Sequence, residues 1–185
     1  MIKKHSRGFT LVELMMTLAI GAIVLTIGVP SFQTYISNNR KTTAINDLRV
    51  ALSLARSTAI TRRQRTTVCK SNDGLTCSND DDTSNWSQGW MVFSDPNIQG
   101  VRNVVGDEVD GVPLTDAEEI IRMHEALPGS GTFTGDSFVK NQVSFTPQGM
   151  FDKGLGGLGG TITYSDGTGS DKALVISFGG QISSE

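Results

Sequence analysis

The chain has 185 residues, of which 37% are hydrophobic and 19% are charged, and its formal net charge is −3. This composition excludes an intrinsically disordered chain and fits one long helix plus one globular domain of roughly 120 residues. Residues 40–65 carry seven basic groups against one acidic group, whereas residues 66–185 carry six basic groups against 17 acidic ones. Because an acidic surface repels a phosphate backbone, general nucleic-acid binding by the C-terminal part is disfavoured.

The first thirty residues predict a membrane-spanning helix. Residues 9–29 contain a single charged residue, Glu13, and as a helix with ~1.5 Å rise per residue they would extend about 31 Å, enough to cross a bilayer core. Three basic residues precede this segment: Lys3, Lys4 and Arg7. By the positive-inside rule they keep the N-terminus in the cytoplasm, and everything after Pro30 lies outside.

The junction Arg7-Gly8-Phe9-Thr10-Leu11-Val12-Glu13 resembles the processing site of type IV prepilins and type II secretion pseudopilins. The resemblance covers residues 3–30. It implies that a prepilin peptidase removes residues 1–8 by cutting after Gly8, and that the new N-terminal Phe9 is methylated. The helix then stays on the mature protein, unlike an ordinary secretory signal, which is cut after its apolar run.

Glu13 is a carboxylate near the end of the apolar span, where it costs at least ~2.5 kcal/mol and usually marks a partner. A glutamate that snorkels to the membrane interface is the alternative interpretation. The resemblance supplies a partner, the free amine of Phe9 in this or a neighbouring subunit, in a charge-assisted pair that sets axial register during assembly. Pro30 is expected to kink the helix, and Gly21 and Gly28 to weaken it, which the resemblance links to local unwinding when subunits pack.

After the transmembrane segment, residues 9–30, the sequence predicts an amphipathic stem helix over residues 31–63 whose apolar stripe packs on a head domain. The stripe recurs at spacings of three and four, at Phe32, Tyr35, Ile36, Ile45, Leu48, Leu52, Ala55 and Ala59. Basic residues cover the rest of the stem. They form a solvated helix face or meet acidic neighbours, lipid headgroups or DNA.

Residues 64–185 predict a mostly antiparallel β-sheet head. Five short runs rich in β-formers, separated by turn residues, are expected to be strands, at 65–70, 89–95, 142–146, 160–165 and 172–178. Residues 116–127 fit a helix by capping and propensity, but a strand is preferred because the resemblance places one there. The expected fold class is therefore α+β, with a long N-terminal helix packed on the sheet, and the resemblance implies that this fold is type IV pilin-like.

Cys69 and Cys77 flank a turn-rich stretch in a domain expected outside the cytoplasm, where a disulfide is the default. In the chain-entropy model such a bridge contributes on the order of 2–3 kcal/mol. A metal site is the competing interpretation, which two thiolates without a nearby histidine make improbable. Neither a metal nor another cofactor is predicted.

The pattern of both cysteines with Trp86, Asp95 and the segment Gly-Trp-Met-Val-Phe at 89–93 resembles the head of H-type pseudopilins and FimT/FimU-like minor pilins. This second resemblance covers most of residues 31–182. It implies a single-pass inner-membrane protein with a periplasmic head that joins a type IV pilus or a type II secretion pseudopilus and helps to initiate or cap its assembly. Its partners would be other minor pilins or pseudopilins and the major subunit. Trp86 and Trp90 are expected to pack in the core rather than stack on a ligand.

A DNA- or surface-binding tip subunit, acting in DNA uptake or adhesion, is the alternative function. Some FimT-like members take up DNA through a Gly-Arg-x-Arg motif after the last strand. Residues 180–183, Gly-Gln-Ile-Ser, are the nearest match and lack both arginines, so phosphate contacts lose their donors. Arg62, Arg63 and Arg65 form the one dense basic cluster and are the candidate DNA contact, although nucleic acid is not expected as a partner.

No enzyme is predicted, and no residue is assigned a catalytic role. His124, the one histidine of the mature chain, is expected at the surface, and no nucleophile elbow is present. Residues 154–159 fit the dinucleotide fingerprint Gly-x-Gly-x-x-Gly, but a strand-like run follows instead of a helix, so a loop is expected. Acidic clusters at 80–82 and 107–110 lack EF-hand spacing and are expected to be solvated loops.

Overall fold

The computed structural model describes residues 8–78, 85–96, 108–109, 112–113, 118–152 and 159–185. Predictions for the leader residues 1–7, for the acidic residues 80–82, 107 and 110, and for the glycine-rich residues 154–158 lie outside these ranges. The chain divides into two compact units, the first ending at Arg40 and the second running from Lys41 to Glu185.

Helix α1 extends over Leu11–Arg62, a length of 52 residues. Pro30 lies inside it, and the hydroxyl of Thr34 donates to the Pro30 carbonyl at 3.1 Å. The helix ends where Arg63 adopts a left-handed backbone conformation with φ of 53°. Within the described residues, α1 is the one helix long and apolar enough to cross a membrane.

The buried residues of α1 all lie in the second unit. They are Lys41, Ala44, Ile45, Leu48, Ala51, Leu52, Ala55 and Ala59. Phe32 and Tyr35, where the predicted stripe begins, lie in the first unit, and their side chains are 64% and 63% exposed. Their spacing continues the apolar pattern, but the buried face begins only where the second unit begins.

Eleven strands are present among the described residues. In chain order they are β1 Thr66–Lys70, β2 Trp90–Ser94, β3 Glu108–Val109, β4 Val112–Pro113, β5 Ile120–His124, β6 Thr132–Gly135, β7 Gln142–Phe145, β8 Phe151–Asp152, β9 Gly159–Ser165, β10 Lys172–Ser177 and β11 Ile182–Ser184. They form a five-stranded sheet in the order β5-β2-β1-β7-β8, a four-stranded sheet in the order β11-β10-β9-β6, and the hairpin β3-β4.

All strand pairings are antiparallel, which confirms the expected α+β architecture. The five predicted strands correspond to β1, β2, β7, β9 and β10, and the ambiguous segment contains strand β5. Strands β3, β4, β6, β8 and β11 were not predicted, and β3 contains Glu108 of the acidic segment 107–110 that was expected to be a loop. These strands are only two to four residues long, so they are too short to show an alternation of their own.

One hydrophobic core joins the buried face of α1 to both sheets. Leu48 and Leu52 are fully buried there, and burying each such side chain contributes about 1.5–3 kcal/mol. Phe133 packs edge-on against Tyr164 with ring centroids 4.9 Å apart. Trp86 is also fully buried, and its indole Nε1 donates to the Val139 carbonyl at 3.1 Å, which satisfies the donor.

Candidate assembly and binding sites

The N-terminus of α1 is closed by a reciprocal pair of side chains. The backbone N and the Oγ1 of Thr10 donate to Oε2 of Glu13 at 2.9 and 3.0 Å, and the backbone N of Glu13 donates to Oγ1 of Thr10 at 3.2 Å. This is a capping box, which satisfies helix donors that have no intrahelical partner. The Thr-x-x-Glu spacing of residues 10–13 is the sequence signature of a capping box. The expectation that Glu13 acts in assembly did not include this role.

The other predicted assembly residues lie just before α1 or within its N-terminal part. Phe9, next to the expected cleavage position at Gly8, is 85% exposed. Proline at position 30 removes one backbone donor from the helix. A Cβ atom built on Gly21 or Gly28 would meet no atom of this chain within 4 Å. Packing within the chain therefore does not require glycine at either position, and the roles expected for these residues stay predictions.

Cys69 and Cys77 form a disulfide, which closes the loop after β1. Asp73 organises this loop, because its carboxylate accepts hydrogen bonds from the backbone N atoms of Thr76 and Leu75, both at 2.8 Å. The hydroxyls of Thr76 and Ser71 donate to the same carboxylate. The two backbone hydrogen bonds, with that from Thr76 the larger cause, hold the pKa of Asp73 well below its ordinary value.

Arg65, one of the three candidate DNA contacts, is engaged by two carboxylates of the head. Its Nε lies 3.3 Å from Oδ2 of Asp95, its Nη1 lies 3.4 Å from Oδ2 of Asp152, and the Arg65 side chain is only 11% exposed. The hydroxyl of Thr67 donates to the same Asp95 oxygen at 2.7 Å and lies 2.7 Å from the hydroxyl of Ser144. Arg65 thus compensates a buried carboxylate, as buried charges require.

The other two arginines of the cluster differ from each other. Arg62 forms an exposed ion pair with Glu119, and the hydrogen bond between them, followed by their charges, raises the pKa of Arg62 and lowers that of Glu119. Arg63 is exposed at the end of the helix. Two of the three guanidinium groups are therefore paired with carboxylates of the same chain, which weakens the cluster as a site for phosphates.

His124 lies at the surface but is partly covered by its neighbours. Its side chain is 24% exposed and its ring stacks on Trp90, with centroids 4.1 Å apart and an interplanar angle of 10°. Nε2 lies 3.5 Å from Oδ2 of Asp47 on α1, and Nδ1 lies 2.7 Å from the Glu125 carbonyl. Trp90 is 1% exposed, so both tryptophans pack in the core as predicted. The described part of the chain contains no group of three metal-ligating side chains.

Comparison with known families decides the assignment. Residues 44–180 match the family model described as Type II transport protein GspH. The chain belongs to the GspH family. Residues 3–29 of this GspH-family chain also match the prokaryotic N-terminal methylation motif. Family membership and this motif make the chain a membrane-anchored minor pilin or pseudopilin of a type IV pilus or a type II secretion system, a class of proteins that assemble with other pilins.

Solved structures show the same fold. The type IV minor pilin FimU of Pseudomonas aeruginosa strain PAO1, in its P21 crystal form, aligns with a TM-score of 0.55 at 19% identity, over 82% of this chain and 92% of FimU. Its P65 crystal form aligns with a TM-score of 0.51 at 20% identity, over 78% of this chain and 91% of FimU. No curated protein sequence matches the GspH-family chain.

Proposed function

We propose that this GspH-family chain is a minor subunit that helps to initiate or cap a type IV pilus or a type II secretion pseudopilus. The observation that carries the proposal is an apolar helix directly after a methylation motif, with its large apolar side chains exposed from Leu11 to Val29. A surface of this kind requires a covering of lipid or of other apolar helices. A pilin-like subunit meets both, first in the membrane and then in the filament.

The proposal includes a route to the filament. The prepilin peptidase cuts after Gly8 and methylates Phe9. Residues 9–30 then hold the subunit in the inner membrane, with its N-terminus in the cytoplasm. Residues 31–63 connect this segment to a periplasmic head, which comprises residues 64–185. The disulfide between Cys69 and Cys77 is consistent with an oxidising compartment. Glu13 then pairs with a Phe9 amine as the subunit joins its partners, which are other minor subunits and the major pilin or pseudopilin.

The test compares surface filaments in a strain that lacks this gene with those in the complemented strain. Sheared filaments and whole cells are probed with antibody against the major pilin. Loss of surface pilin with unchanged cellular pilin, restored by the gene, supports initiation of a type IV pilus. Unchanged surface pilin with a loss of secreted proteins assigns the subunit to a type II secretion system, and wild-type behaviour in both assays contradicts the proposal.

A further inference from the structure

A polar groove lies between helix α1 and strand β11 of the head. Its volume is about 520 Å³, and it is lined on one side by Arg49, Ser53, Arg56 and Ser57 and on the other by Gln181 and Ile182. None of its lining residues carries a carboxylate, although the chain from residue 66 onward has 17 acidic and six basic residues. This β11 groove is therefore basic, and both of its charged lining residues, Arg49 and Arg56, come from the basic stem helix.

The head holds Arg56 in a fixed position at this groove. Its Nε donates to the Gly149 carbonyl at 2.9 Å and its Nη2 donates to the Gly179 carbonyl at 3.1 Å. A guanidinium group has five N–H donors, so these two bonds orient it and leave further donors for a ligand. Such a group forms paired hydrogen bonds with a carboxylate at little further cost in side-chain entropy.

Within the described residues, strand β11 presents a backbone edge that pairs with no further strand, near Arg49 and Arg56. Glu185 and Ala173 exchange both backbone hydrogen bonds, at 2.9 and 3.0 Å. Because bonded and non-bonded pairs alternate in an antiparallel ladder, the N–H and C=O groups of Ile182 and Ser184 point away from β10. β11 ends the order of its sheet among the described strands. An edge of this kind accepts a further strand.

We propose that the β11 groove binds an extended acidic segment of a neighbouring filament subunit, which adds to β11 as a strand and places a carboxylate on Arg49 and Arg56. The inference rests on the proposed function, since a filament supplies the neighbour. The backbone edge favours a polypeptide, because nucleic acid has no matching series of N–H and C=O groups. The acidic head also repels a long polyanion, whereas a single carboxylate needs only the local charge.

Two pairs of variants of the full-length protein test the inference. Ser184→Pro removes the outward N–H and leaves the bonds of Ser183 and Glu185 to β10 in place, whereas Ser184→Ala keeps that N–H. Arg49→Glu reverses the charge of an exposed groove residue, and Arg49→Lys retains it. Epitope-tagged variants are expressed in the deletion strain, and the tagged protein in sheared filaments is measured relative to the processed protein in membranes.

We expect Ser184→Pro and Arg49→Glu to lower incorporation at least roughly tenfold, while Ser184→Ala and Arg49→Lys stay near wild type. Melting curves of each variant in detergent verify folding, and Arg49→Glu keeps the test valid if proline at 184 unfolds the head. If all four variants are incorporated equally and the wild-type protein is present in filaments, no strand is added at β11. This result overturns the inference and leaves the proposed function intact. Absence of the wild-type protein from filaments, together with unchanged protein secretion in the deletion strain, contradicts the proposed function. DNA binding of the purified proteins is measured as well. If Arg49→Glu loses DNA binding while Ser184→Pro is incorporated normally, the groove binds nucleic acid and the inference is overturned.

Discussion

The Nζ atom of Lys41 lies 3.3 Å from Oδ1 of Asp166, and the two side chains are 2% and 7% exposed. The same ammonium donates to the carbonyl and the hydroxyl of Ser170 at 2.7 and 3.0 Å, and to the hydroxyl of Thr168 at 3.3 Å. All three partners belong to the turn between β9 and β10. The ion pair therefore fixes this turn to α1 at the position where the second compact unit begins.

Lys41→Ala is expected to lower the free energy of unfolding by about 3 kcal/mol, because it leaves a buried carboxylate without its counter-charge. Asp166 still accepts from the backbone N and the hydroxyl of Thr168, which keeps the loss at the lower end of the range for broken buried pairs. Urea denaturation of the full-length protein in detergent measures it. Lys172→Ala, an exposed lysine at the start of β10, is the control, and equal losses in the two variants would contradict the role of the pair.

Lys41 also marks the limit of what could be predicted from the sequence. Local periodicity and β-propensity correctly predicted the stem helix and strands β1, β2, β7, β9 and β10, because those signals lie within a few neighbouring residues. Nothing near Lys41 distinguishes it from a lysine on a solvated helix face. Its acceptors lie 125 to 129 residues away in the chain. Separations of 30 and 87 residues between Arg65 and its carboxylates, and of 34 residues between His124 and Trp90, explain in the same way why these contacts were missed.

Gly180 is expected to be required for the fold rather than for a ligand, although it occupies the glycine position of the Gly-Arg-x-Arg motif. It adopts φ of +72°, and an added Cβ would lie 2.0 Å from the Gly149 carbonyl oxygen and 3.1 Å from Nε of Arg56. Gly180→Ala should therefore cost more than the roughly 1 kcal/mol that a left-handed backbone alone costs a non-glycine residue.

The matched control is Gly167→Ala. Gly167 has φ of +77°, but an added Cβ would meet nothing within 4 Å, so this variant carries only the backbone cost. Denaturation midpoints of both variants give the difference. Equal destabilisation would show that the carbonyl of Gly149 moves aside without cost and that close packing does not explain the glycine.

Asp73 is expected to make stability depend on pH at the acidic end. The pKa of Asp73 is lower in the folded protein than the value near 4 of an unfolded aspartate. Its contribution is therefore fully present above the unfolded pKa and is lost as pH falls towards the folded pKa. Because the group is largely solvated, that contribution is about 1 kcal/mol or less.

Asp73→Asn should be less stable than the wild type at pH 7, and the two stabilities should converge as the pH is lowered below about 4. Urea denaturation at a series of pH values measures both curves. Asp171→Asn, which removes the carboxylate of another exposed aspartate, serves as the matched control. A constant difference between wild type and Asp73→Asn at all pH values would show that the carboxylate contributes through its shape rather than its charge.

Glu13 has two roles that substitution can separate. As the last residue of the capping box it needs only an acceptor oxygen, whereas pairing with the Phe9 amine needs a negative charge. Glu13→Gln keeps an acceptor and removes the charge, and Glu13→Ala removes both. Both variants should be inserted and processed normally, because the apolar segment and Gly8 are unchanged. Both should be incorporated into filaments roughly tenfold less than wild type, as the loss of one charge-assisted pair implies.

The measurement is the amount of tagged subunit in sheared filaments relative to processed subunit in membranes. Glu13→Asp is the charged control. It should be incorporated into filaments more than Glu13→Gln, because its carboxylate can still reach a neighbouring amine. If Glu13→Gln is incorporated like the wild type while Glu13→Ala is not, the capping box with Thr10 accounts for the requirement, and the ion pair with Phe9 is not needed for assembly.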